Sequence, residues 1–164
     1  MKRASAAAVL LLAPALALAL ASDREQPIRI QADRVVIDEK QRVSTYEGNV
    51  ELVQGTLRVT AARVEVYRGE ELERLVATGA PVTFRQQPDE GKEIRGQSQR
   101  ADYQARNSVI ELTGDAHLWQ GNDEFSGPRI VYDAERSLVR AEGQGKGGRV
   151  NATIHPREKG ANSQ

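Results

Sequence analysis

Tyr46-Glu47-Gly48-Asn49-Val50-Glu51-Leu52-Val53-Gln54-Gly55 is, in effect, written twice in this chain. Sixty-six positions on stands Leu112-Thr113-Gly114-Asp115-Ala116-His117-Leu118-Trp119-Gln120-Gly121, with Gly over Gly, Leu over Leu, Gln over Gln and Gly over Gly. The register holds without a gap, Arg34 falling on Arg100, Val59 on Phe125, Arg63 on Arg129 and Val64 on Ile130. In each copy a Gly-Asn or Gly-Asp pair reads as a turn between strands, apolar residues alternate after it, and a Gln-Gly pair reads as the next turn. The expected fold is all-β, a duplicated β-meander.

Alternation extends along most of the chain. Ile28 and Ile30, Val50 and Leu52, Leu57 and Val59, Val64 and Val66, Val82 and Phe84, Ala101 and Tyr103, Ala116 and Leu118, Ile130 and Tyr132, and Val150, Ala152 and Ile154 each stand two apart. Apolar residues at every second place mark strands with one buried face. Turn residues recur at the spacing of a sandwich or roll, so two packed sheets about 10 Å apart are expected. Leu72, Leu75 and Val76 have helical spacing, but a turn at Gly69 followed by a strand into Ala77 is preferred. Trp119 shares a face with His117 rather than with Leu118, which places it outside.

The ends carry different information. Lys2 and Arg3 precede an uncharged Ala/Leu run ending Ala19-Leu20-Ala21, the pattern of a secretory signal peptide cleaved after Ala21. Residues 22–156 then form the domain, and 157–164, with Ala161 alone as an apolar side chain, read as a disordered tail. The whole chain carries 23 basic and 23 acidic side chains, and losing Lys2 and Arg3 leaves it slightly acidic, which argues against nucleic acid. With no Cys, neither a disulfide nor a thiol nucleophile is available.

Catalytic signatures are missing. His117 and His155 have no metal-ligand spacing, no Gly-x-Ser-x-Gly elbow or phosphate loop occurs, and Gly143-Gln144-Gly145-Lys146-Gly147-Gly148 lacks the Gly-Lys-Ser/Thr ending. No enzyme, metal site or cofactor is expected.

Several segments in one order resemble the LptA/OstA-like family of lipopolysaccharide-transport proteins. They are Gln26-Pro27-Ile28-Arg29-Ile30-Gln31-Ala32-Asp33, Gly48-Asn49-Val50, Gln54-Gly55-Thr56-Leu57, Ala62-Arg63-Val64-Glu65-Val66, Pro81-Val82-Thr83-Phe84 and Leu112-Thr113-Gly114-Asp115-Ala116. The resemblance, covering about Gln26 to Pro156, implies a twisted β-jelly roll open at both ends, in the periplasm, whose apolar groove shields the acyl chains of lipid A. It implies Ile28, Ile30, Phe84 and Tyr103 as acyl contacts and Arg68 as a partner for a lipid phosphate near the groove mouth. Alternation adds Val50, Leu52, Val59, Leu118, Phe125 and Tyr132 as lower-ranked lining.

Two unblunted edges complete the expectation. The first strand holds Ile28, Ile30 and Ala32 with Arg29 as its one charge, and the last holds Val150, Ala152 and Ile154 with none. Such edges recruit strands. The resemblance names the recruits as further copies head to tail, an LptC-like inner-membrane protein and an LptD-like outer-membrane protein, bridging the two membranes. The alternatives are an LptC-like anchored component, or a secreted β-repeat binding or adhesion protein with a filled core.

Overall fold

A computed structural model describes residues 23–89, 91–143, 145 and 148–156. The expected signal peptide and the tail from 157 lie outside the described residues, as does part of the Gly143 to Gly148 segment. After a short 3-10 turn at Asp23–Glu25 come β1 (Arg29–Gln31), β2 (Arg34–Asp38), β3 (Val43–Gln54), β4 (Leu57–Arg68) and β5 (Leu72–Gln86). Then follow β6 (Ile94–Gln104), β7 (Val109–Gln120), β8 (Asp123–Asp133), β9 (Leu138–Glu142) and β10 (Asn151–Thr153). All ten belong to one antiparallel sheet in the order β1-β3-β4-β5-β6-β7-β8-β10, with β2 also on β3 and β9 also on β8.

Two expectations need correction. Gly48-Asn49 and Gly114-Asp115 are not turns between strands, because they lie inside β3 and β7. Gly48 and Asn49 have φ of 79° and 45°, and Gly114 and Asp115 have 78° and 46°, a backbone that strongly favours Gly and, next, Asn or Asp. Pairing jumps from Glu47↔Arg63 to Val50↔Ala61, so two residues of β3 face one of β4. That count defines a β-bulge, which bends a strand without reversing it. The same jump, Thr113↔Arg129 to Ala116↔Gly127, occurs between β7 and β8.

Nor are there two sheets. Register shifts also fall between Thr60 and Arg63, Thr78 and Val82, and Gln97 and Arg100, so a line of irregularities crosses the middle of every long strand. The single sheet folds over along that line into two arms. The front arm holds β1, β10, the second halves of β3, β5 and β7 and the first halves of β4, β6 and β8. The rear arm holds the complementary halves with β2 and β9. The duplication fits this plan, since β6 occupies in the second unit the place that β1 and β2 share in the first.

Both arms contribute to one buried cluster. Val50, Leu52, Val82, Ile94 and Leu118 come from the front, and Val64, Ala77, Leu112 and Ile130 from the rear. Each fully buried Leu or Ile stabilises the closed arrangement by about 1.5 to 3 kcal/mol relative to exposure. No described buried side-chain N or O lacks a partner. At the fold line, buried Ser98 donates from Oγ to the Arg100 carbonyl at 2.8 Å.

Each bulge is tied by one side-chain bond whose direction differs between the units. Asn49 Nδ2 donates to Asp33 Oδ2 at 2.9 Å. At the corresponding positions Gln99 Nε2 donates to Asp115 Oδ2 at 3.0 Å, so acceptor and donor have changed places. The Asp33 amide adds a bond to the Gly48 carbonyl at 3.0 Å. Asn49→Asp therefore sets two carboxylates against each other and is expected to cost about 1 kcal/mol in urea unfolding. Adding Asp33→Gln reproduces the polarity of the second unit and is expected to recover most of that loss; equal stability of single and double variants would refute the tie.

Candidate functional site

Where the arm tips diverge, an apolar cavity of about 80 Å³ opens between them. Leu57, Val59 and Phe84 line it from the front, and Leu75, Ala77, Tyr103 and Ile110 from the rear. Phe84 lies over Gly96, its cross-strand partner, where an added Cβ would overlap the ring edge at Cε1. Absence of a side chain at Gly96 thus positions the aromatic wall.

The rim is polar. Asp23 accepts from the Thr56 amide at 2.7 Å, the Thr56 hydroxyl at 2.6 Å and Gln86 Nε2 at 2.9 Å. Burial pushes the Asp23 carboxyl up, but these bonds outweigh it and hold its pKa below the ordinary carboxylate value. Gln54, also on the rim, donates to the Gln26 carbonyl at 3.0 Å. The N-terminal segment is therefore strapped across the front tip by a charged residue.

The residues singled out from sequence fall into three groups. Val59, Phe84 and Tyr103 stand on the cavity wall. Val50, Leu52, Leu118 and Tyr132 are buried within the cluster, and Ile28, Ile30, Ala32 and Phe125 pack half-buried against it. Burial also raises the pKa of the Tyr132 phenol, which keeps it uncharged against the apolar interior. Arg68 is exposed at the end of β4, its amide bonded to the Arg42 carbonyl at 3.1 Å, and is not part of the cavity wall.

At both lateral ends the apolar stripe reaches solvent. Val35 and Ile37 of β2, paired with Tyr46 and Ser44, are 51% and 62% exposed. Near β10, Val150 and Ile154 are 40% and 62% exposed, and Ala152 faces Phe125. β1 and β10, which hold Ile30 and Ala152, are the two ends of the sheet path. Sequence reading did not single out β2 and β9 as sharing those edges. Leu75, Ile110 and Asp23 were also overlooked as site residues. Alternation with Ala77 and Leu112 marks the first two, whereas nothing local marks Asp23.

Chemically this is an apolar recess with a polar rim. Among the described residues no group of three or more His, Cys, Asp or Glu is placed to hold a metal. His117, 3.1 Å from Glu124 through Nδ1, stacks on Trp119 on the outer face.

Comparison with known proteins gives the same fold and a family. The family profile described as LptA/(LptD N-terminal domain) LPS transport protein matches residues 29–137. The lipopolysaccharide export system protein LptA of Haemophilus influenzae is 35% identical over 153 residues, covering 91% of this chain and 88% of that protein. LptH of Pseudomonas aeruginosa is 33% identical over 158 residues, covering 90% of each. LptA of Escherichia coli K12 is 34% identical over 153 residues, covering 92% of this chain and 82% of its own. The crystal structure of Pseudomonas aeruginosa LptH superposes with a TM-score of 0.76 at 31% identity, over 82% of this chain and 99% of that one. With the profile spanning most of the chain and relatives above 30% identity along nearly all of it, the chain belongs to the LptA/(LptD N-terminal domain) family of LPS transport proteins.

Proposed function

We propose that this protein is a non-catalytic periplasmic carrier that holds the acyl chains of lipopolysaccharide between its two arms and passes them along a chain of like folds between the inner and outer membranes. The observation that carries the reading is an apolar interior reaching solvent at the tips and at both lateral ends. Each methylene moved from water into such an interior gains about 0.8 kcal/mol, so on the order of ten on one acyl chain gain about 8 kcal/mol. A carrier needs no chemical step to use that gain.

The 80 Å³ cavity is smaller than the roughly 300 Å³ at which ligand pockets begin. An acyl chain therefore enters by parting the arms. Across the cavity the arms meet through side chains such as Val59, Leu75 and Phe84, and the strand ladders run along each arm. Opening trades side-chain contacts for acyl contacts and leaves ladder hydrogen bonds intact. Ile28 and Ile30 extend the lining toward the β1 edge, Phe125 and Tyr132 toward the β8 side, and Arg68 at the rear tip supplies a cation for a lipid phosphate.

At the lateral ends, β1 with β2 and β9 with β10 leave their outer edges open to a second copy and to LptC-like and LptD-like partners of the same fold. Seating a partner there covers Val35 and Ile37, or Val150 and Ile154, and continues the apolar stripe across the junction.

A photo-crosslinking residue at Phe84 or Tyr103 is expected to give lipopolysaccharide adducts in cells, and one at Arg140 on the outer rear face none; adducts from Arg140 alone would reverse the reading. Ile37→Asp and Ile154→Asp are each expected to weaken self-association at least tenfold, about 1.4 kcal/mol, in sedimentation velocity, with the melting temperature unchanged. Asp23→Ala is expected to cost about 1 kcal/mol and to raise amide exchange at Thr56 and Leu57. Because the Asp23 pKa is lowered on folding, its strap contributes fully above the ordinary Asp value near 3.9. That contribution is lost as pH falls below that value, and Asp23→Ala is expected to remove this part of the acid dependence.

A further inference from the structure

The two arms differ on their outer faces. On the rear arm several arginines are paired with carboxylates. Arg63 bonds Glu47 and Glu65, Arg74 bonds Asp102, and Arg129 lies 2.8 Å from Glu111 and 2.5 Å from Glu142. On the front arm, cross-strand register sets Arg58 beside Arg85, Arg85 beside Arg95, and Arg95 beside Trp119. Neighbouring strands lie about 4.8 Å apart, so three guanidinium side chains and an indole form one straight row.

That row is accessible. The side chains of Arg58, Arg85 and Arg95 are 61%, 67% and 51% exposed. Among the described residues the carboxylates beside them are Glu51, 3.5 Å from Arg58, and Glu93, 2.6 Å from Arg85 and 3.5 Å from Arg95. The Arg95 guanidinium lies 5.5 Å from the Trp119 ring centre, and His117 stacks on that indole at 5.5 Å and 15°. The adjacent rung carries Thr60, Thr83, Gln97 and His117, side chains that both donate and accept as sugar hydroxyls require.

We infer that this outer front face binds the anionic saccharide part of the lipid whose acyl chains lie between the arms, the arginines taking its phosphate or carboxylate groups and Trp119 a sugar face. Guanidinium forks match such groups in bidentate geometry. Position favours the lipid's own sugar: Leu57 and Gln86 line the cavity, and Arg58 and Arg85 are their chain neighbours just behind the front lip. A saccharide leaving the cavity mouth meets this row on folding over the lip. Glu51 and Glu93 stand beside the arginines and lower the net positive charge of this face, which favours a sparsely charged sugar over the dense phosphates of a nucleic acid. The inference rests on the carrier reading for its ligand, though it uses the opposite face of the sheet.

Trp119 is the one Trp of the chain, so its fluorescence reports this face without a label. The probes are phosphorylated core oligosaccharide freed of lipid, the same oligosaccharide after dephosphorylation, and a twelve-residue single strand of dT. Expected are a saturable fluorescence change with the first, at least tenfold weaker binding after dephosphorylation, and a comparable loss by calorimetry for Arg85→Gln with Arg95→Gln. Trp119→Phe is expected to weaken calorimetric binding severalfold, and Arg140→Gln to leave it unchanged. Equal binding of the dephosphorylated sugar, of dT or by the double variant would overturn the inference. If Phe84 still crosslinks lipopolysaccharide while the oligosaccharide does not bind, the inference falls and the carrier reading stands. If the oligosaccharide binds and Phe84 gives no adduct, the carrier reading falls, and with it the assignment of this sugar to a carried lipid.

Discussion

Two consecutive residues with left-handed backbone, at the centre of β3 and again of β7, set the shape of the molecule. A straight twelve-residue strand would reach about 40 Å, and a sheet of such strands would turn a broad apolar face to water. Burying that face requires a second sheet or the sheet itself. The bulges choose the second course, and the bonds Asn49 to Asp33 and Gln99 to Asp115 hold the choice in place. Without the bend Leu52 and Leu112, both fully buried here, would lack an opposing layer.

From that bend follows a division of labour between directional and non-directional forces. Ladder hydrogen bonds keep each arm rigid along the row of strands, while the described apolar side chains of the two arms face one another across the cavity. On the rear arm, ion pairs stiffen the outer surface further. Arg63 holds the Glu65 carboxyl below the usual range, and Arg129 does the same for Glu111. Exposed pairs of this kind contribute little to stability, so their effect lies in fixing side-chain geometry over this face. On the front arm Arg85 and Arg95 share one carboxylate, Glu93, and Arg58 stands 3.5 Å from Glu51, so the pairing there is sparser.

The sequence made the fold class and family legible because alternation and duplication are local signals. Val50, Leu52, Leu118 and Tyr132 follow from counting by twos. The bend did not, since Gly-Asn and Gly-Asp serve hairpin turns and bulges alike, and only the partner strand decides which. Nor did the site as a place emerge: Val59 and Tyr103 meet across a cavity only because the fold line brings distant half-strands face to face. Asp23 belongs to the rim through bonds to Thr56 and Gln86, a tertiary fact with no trace in its own neighbourhood. Trp119 was legible as outward, but its place in a row with Arg95 and Arg85 needed the register.

Edges remain the harder physical problem, because an open sheet invites unwanted pairing. The first edge is presented by two short strands, β1 and β2, separated at Ala32-Asp33 where the Asp33 amide is spent on the Gly48 carbonyl. The last edge repeats the device with β9 and β10. A straight foreign strand can pair with one short segment but not with both, since the two lie on different arms. A strand already bent by a central bulge can follow both segments and bring its own apolar side chains alongside Val35 and Ile37 or Val150 and Ile154. The bend that closes the interior thus also narrows what could pair along a whole edge to a strand with the same central irregularity.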